Sequence, residues 1–127
     1  LERDGQTLAT YGLASGPQGY RPLREFLATS LEKRCGMRQT ADEILIVSGS
    51  LQALDLVNAV FLEPGDTVIC EKATYQGTLQ RYDRIGVRYI GAPLDGGGIR
   101  IDALETILSG LKSDGVVPKY IFTIPTV

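Results

Sequence analysis

Ile44-Leu45-Ile46-Val47-Ser48-Gly49-Ser50-Leu51-Gln52-Ala53-Leu54 is a short β-branched run, cut by a glycine between two serines, that passes straight into a helical pattern. Leu51, Leu54, Val57 and Phe61 continue that pattern until Pro64-Gly65-Asp66 ends it. Downstream the alternation repeats. Thr67-Val68-Ile69-Cys70-Glu71 reads as a second strand, residues 75–85 as a helix and Val87-Arg88-Tyr89-Ile90 as a third strand. Asp102 and Glu105 have the spacing of an N-cap and its N3 partner, predicting a helix near 102–112. Lys119-Tyr120-Ile121-Phe122-Thr123-Ile124 is a fourth strand. Upstream, Pro22 suits a first helical turn, Leu23, Phe26, Leu27 and Leu31 fall at helical spacing, and Gly36 is a stop, giving a helix near 22–35. Residues 1–21 carry four glycines and a proline and read as extended loop. Short strands separated by helices of this length require right-handed crossovers and a largely parallel sheet. The predicted class is α/β, with helices in layers on either side of that sheet.

The chain has 127 residues, 13 basic and 15 acidic, so it carries no basic excess of the kind a nucleic-acid surface needs. With 43% apolar and 22% charged residues it reads as a soluble globular protein, expected in the cytoplasm. The absence of histidine excludes Ser-His, Cys-His and His-metal mechanisms for this chain by itself. Two cysteines, Cys35 and Cys70, are too few for a disulfide scaffold and read as buried free thiols. The mainly apolar stretch from Leu51 to Leu62 is interrupted by Gln52, Asp55 and Asn58 and is too short to cross a bilayer. The chain opens on Leu1 and closes just past a strand-like segment, and three helices do not readily cover both faces of four strands. It therefore reads as an excerpt of a longer protein.

The junction at Gly49-Ser50-Leu51 carries the chemistry. The first N–H groups of a helix lack intrahelical partners, and the dipole is positive at that end. A glycine lets the backbone approach an anion, and the Ser50 hydroxyl adds a donor, the arrangement of a phosphate cradle. Ser48 or Ser50 as a simple helix cap is the alternative. Tyr75 follows the carboxyl end of the second strand, where open parallel sheets bind ligands. Its ring could stack on a planar ligand, or pack at a helix start with its hydroxyl in water. The pairs Asp95/Asp102 and Asp42/Glu43 read as turn and capping residues. Arg81, Arg84 and Arg88 read as a solvated face, Lys72 as a solvated strand end and Gly96-Gly97-Gly98 as a turn.

Tyr11-Gly12, Gly19-Tyr20-Arg21-Pro22-Leu23-Arg24, Ser48 through Leu54, Pro64-Gly65-Asp66 and Glu71 through Leu79, in this order, resemble the class I/II pyridoxal-phosphate aminotransferases of fold type I. The likeness is greatest to the kynurenine/2-aminoadipate group and runs through nearly the whole chain. It implies residues 22–127 as the first part of an incomplete three-layer cofactor-binding large domain and residues 1–21 as a loop at a dimer interface. It implies pyridoxal 5'-phosphate as cofactor, an amino acid and a 2-oxo acid as substrates, and a homodimer. Gly49, Ser50 and Leu51 would hold the cofactor phosphate, Tyr75 would stack on its ring, and Tyr11 would reach the neighbouring subunit's phosphate. Leu51 stands where this group usually has glutamine, a change that leaves a backbone N–H contact available. Ala73 stands where proline is common.

The resemblance also defines what to expect of the chain by itself. The family's Schiff-base lysine, its aspartate at the pyridine nitrogen and its carboxylate-binding arginine match no position here. None of Lys33, Lys72, Lys112 and Lys119 lies in the required context, so the segment alone is expected to be inactive. A rival reading is the aminotransferase-like sensing domain of a transcription regulator, which would carry a winged helix upstream.

Overall fold

The computed structural model describes Gly5 and residues 16–125. The chain divides after Gly49 into two compact units. In the first, helix α1 spans Arg21–Cys35, with a proline in its first turn, and ends at Gly36, whose φ of 68° is left-handed. Gly36 and Met37 donate to the carbonyls of Glu32 and Leu31, satisfying acceptors that the helix end would otherwise leave open. The apolar stripe is not what this helix buries. Arg24 is the buried residue, while Leu23 and Phe26 stay exposed. The Arg24 guanidinium donates to the carbonyls of Gly19 (3.0 Å) and Ala41 (2.6 Å), which makes burial of a charge tolerable.

A 3-10 turn at Ala41–Glu43 follows, opened by Thr40, whose N–H and hydroxyl both donate to Glu43 (2.7 and 2.9 Å). Asp42 and Glu43 thus have the turn role expected of them. The strand expected at Ile44–Val47 forms no ladder among the described residues. Its Ile46 N–H donates to Gln18 O at 2.8 Å, and β-branched side chains do not make a strand without a neighbour of matching length.

The second unit, from Ser50 onward, holds the sheet. Its elements are α2 (Ser50–Phe61), β1 (Thr67–Glu71), α3 (Gln76–Ile85), β2 (Arg88–Ala92), the hairpin of β3 (Leu94–Asp95) and β4 (Gly98–Ile99), α4 (Ile101–Ser113) and β5 (Ile121–Phe122). β1 lies between β2 and β5 and is parallel to both, with Ile69 opposite Ile90 on one side and Ile121 on the other. All five of its residues are buried, as a central strand covered on both faces must be. From β1 the chain moves one way to β2, then back across β1 to β5. Right-handed crossovers in opposite directions put their helices on opposite faces.

The two apolar clusters are arranged accordingly. Leu62, Val68, Tyr82 and Val87 pack with Leu79, Ile85 and Tyr120 on the α3 side. Ile69, Ala92 and Leu111 pack with Leu104, Ile107 and Val116 on the α4 side. This is an α/β three-layer arrangement, the incomplete large-domain architecture expected. Gly96-Gly97 is the turn expected, at the tip of the β3–β4 hairpin, with Gly97 N–H donating to Asp95 Oδ1 at 2.8 Å. Two details differ from expectation. α4 starts at Ile101 after Arg100, so Asp102 is not the cap but lies in the first turn, paired with Arg100. β5 is two residues long, because past Phe122 the chain bonds to a side chain rather than to the ladder. Among the described residues no helix is long and apolar enough to cross a membrane.

Candidate functional site

The carboxyl ends of β1 and β5, the first turn of α2 and the entry to α3 surround one cavity of about 760 Å³. That lies within the roughly 300–1,000 Å³ of small-molecule sites and at the end of the sheet where parallel α/β folds bind ligands. Ser50 and Leu51 line it from α2, and Tyr75 lines it from the start of α3. Gly49 precedes Ser50 with φ 135°, a conformation that favours glycine, and a Cβ there would meet no atom within 4 Å. Its glycine is thus a matter of backbone conformation. Tyr11 lies outside the described residues.

Several lining residues were not singled out in the sequence. Glu71 ends β1, is 7% exposed, and accepts from Thr123 Oγ1 (2.5 Å) and Ile124 N–H (2.9 Å), fixing the segment that carries Thr123, Ile124 and Pro125 along the cavity. Thr74 and Thr78 line the wall beside Tyr75. The Thr74 hydroxyl is shielded from solvent and makes no hydrogen bond among the described residues.

Arg81 is not merely solvated. It pairs with Asp55 at 2.6 and 3.2 Å and donates to Gly77 O at 3.0 Å, joining α3 to α2 beside the cavity. Beneath α2, Tyr120 donates to Asn58 Oδ1 at 2.6 Å and meets the Tyr82 hydroxyl at 3.2 Å. Burial, and then donation to Tyr120, hold the Tyr82 phenol well above its ordinary pKa. Burial likewise raises Tyr120, while acceptance of the Tyr82 proton acts the other way, so the chain of donors runs from Tyr82 through Tyr120 to Asn58. Cys70 is buried within β1 with its pKa raised, by burial first and the Glu71 charge second, and is no nucleophile for this site. Cys35, expected to be buried, is exposed because it ends α1.

The chemistry of this donor set fits an anionic, aromatic ligand at two places. The first-turn N–H groups of α2 and the Ser50 hydroxyl offer donors without any basic side chain lining the cavity. The half-exposed ring of Tyr75 offers a flat face some way round the same cavity. Glu71, the one carboxylate in the lining, already has its donors.

A helix start and a strand end meeting over a parallel sheet make this an α/β domain with a cavity at its strand ends. By sequence and by fold the chain is a segment homologous to the fold type I pyridoxal-phosphate aminotransferases of the kynurenine, aminoadipate and aromatic kinds. It is 36% identical to aromatic-amino-acid aminotransferase 1 of Thermococcus litoralis, over 99% of this chain and 30% of that protein. The kynurenine aminotransferase of Pyrococcus horikoshii superposes with a TM-score of 0.81 at 46% identity, over 87% of this chain and 27% of that one. A Bacillus subtilis protein named as an uncharacterized HTH-type transcriptional regulator, YdfD, is 40% identical over 65% of this chain and 17% of its own length. The chain thus spans 30% and 28% of the length of the two aminotransferases, from Thermococcus litoralis and Thermus thermophilus, that it matches along 99% of its own length. No protein-family model matches it.

Proposed function

We propose that this chain is the phosphate- and ring-binding segment of a cytoplasmic, homodimeric pyridoxal-phosphate aminotransferase that moves an amino group between an amino acid and a 2-oxo acid. Residues 22–127 are the first part of its large domain, and residues 1–21, with Tyr11, its dimer-interface segment. The observation that carries this is the convergence of Ser50, Leu51 and Tyr75 on one cavity at the strand ends. Pyridoxal phosphate, when bound, supplies an aldehyde and an electron-withdrawing ring. This chain's residues bind and orient: Gly49 allows the turn, Ser50 and the Leu51 N–H hold the phosphate, and Tyr75 covers one ring face. The segment has no Schiff-base lysine in context and is inactive by itself.

The test is Ser50→Glu in the full-length protein. A carboxylate beside the phosphate costs about 1–4 kcal/mol, so cofactor affinity measured by equilibrium dialysis should fall at least about fivefold. Unchanged affinity would sink the assignment.

The likeness to YdfD supports a second reading, a sensing domain fused to a DNA-binding one. A basic helix-turn-helix encoded ahead of Leu1 would favour it. Transamination by the purified full-length protein, tested with a panel of amino and 2-oxo acids, would favour the enzyme.

A further inference from the structure

Gly77 sits in the first turn of α3, two residues past Tyr75, and nothing in its backbone requires glycine. Its φ is not in the positive region, and an alanine is the better helix former at such a position. The requirement comes from the neighbouring ring. A Cβ at Gly77 would lie 2.5 Å from Tyr75 Cε1, 3.1 Å from Cδ1 and 3.3 Å from Cζ. These three atoms form one edge of the ring, so the Tyr75 ring rests on the bare Cα of Gly77. The support is itself held in place. Arg81, paired with Asp55, donates to the Gly77 carbonyl, and the Thr78 N–H donates to Tyr75 O at 2.9 Å.

We propose that Gly77 is a positioning residue: a shelf that sets the angle at which the Tyr75 ring faces the cavity. Any side chain at 77 lifts the ring off its seat. The proposal rests on the reading of Tyr75 as the face that stacks on the cofactor. It extends that reading to a residue that touches no ligand.

The two effects of Gly77→Ala pull in opposite directions, and this makes the proposal testable. Helix propensity predicts a melting temperature of the full-length protein that is unchanged or raised. Displacement of the ring predicts pyridoxal-phosphate affinity lowered by roughly three- to tenfold, the worth of one aromatic stacking contact. The measurement is equilibrium dialysis of pyridoxal phosphate against four full-length proteins: wild type, Gly77→Ala, Tyr75→Ala and the double variant. A loss in Gly77→Ala that disappears in the Tyr75→Ala background establishes the shelf. Wild-type affinity in Gly77→Ala, or an equal loss in both backgrounds, overturns it and leaves the cofactor assignment standing. A wild-type protein that takes up no pyridoxal phosphate overturns the cofactor assignment, and the shelf falls with it.

Discussion

Glu71 is a carboxylate on the most buried strand of the sheet, and the two donors it satisfies both come from the far side of the cavity. Hydrogen bonds to a charged acceptor are worth about 1.5–3 kcal/mol each, and losing the acceptor strands the donors. Glu71→Ala should therefore lower the stability of the full-length protein by about 2–4 kcal/mol in urea denaturation, whereas Glu71→Gln, which keeps an acceptor oxygen, should lose less than half of that. Equal losses for the two variants would refute the role given to the acceptor. Ser50 and Tyr75 could be placed at the cavity from the sequence because each opens a helix just past a strand-like run. Glu71 could not, since its partners lie more than fifty residues away and only folding brings them together. Arg24 is a similar case: helical periodicity draws attention to Leu23 and Phe26, and its burial depends on the Gly19 and Ala41 carbonyls.

Elements were legible where a strand is bounded by turns and flanked by helices of ordinary length. α1, α2, α3 and β1 fall within a residue or so of expectation. Two of the misses share one cause. Ile44–Val47 and the ends of β5 have strand-like residues, but a strand exists by pairing, and pairing partners are not written locally. What ties α2, α3 and β5 together is the hydrogen-bonded chain from Tyr82 through Tyr120 to Asn58, with one residue on or beside each element. Tyr120 is its middle member, donor to one partner and acceptor to the other. Tyr120→Phe breaks two bonds and should cost about 2–3 kcal/mol, against about 1 kcal/mol for Tyr82→Phe, which removes only the terminal donor. Denaturant melts of the two full-length variants decide the order, and a reversed order would contradict the direction of donation.

The unit from Ser50 onward holds a buried thiol, a buried phenol and a half-buried one whose pKa values are all raised, and this gives the folded state a preferred pH range. Each of these groups is neutral when protonated, so folding favours the protonated form. Their contribution to stability is complete below the unfolded-state values, near 9 for the thiol and 10 for the phenols. Above those values the unfolded chain releases protons that the folded chain keeps, and stability falls until the folded groups ionise in turn. Denaturation midpoints between pH 7 and 11 should thus be level at first, decline from about pH 9, and steepen past about pH 10. Tyr82→Phe should flatten the steeper part. A midpoint that rises with alkalinity in this range would contradict the assignment.

The position of β5 in the sheet has a consequence for how the protein is made. Glu71 and Thr123 are 52 residues apart, and a ribosome adding about 5–20 residues per second separates them by roughly 3–10 seconds. β1, α3 and β2 can assemble during that interval, but one wall of the cavity has not yet been synthesised. A nascent chain therefore has no pocket to load, and any ligand of this cavity is captured by a polypeptide that has already grown past Pro125.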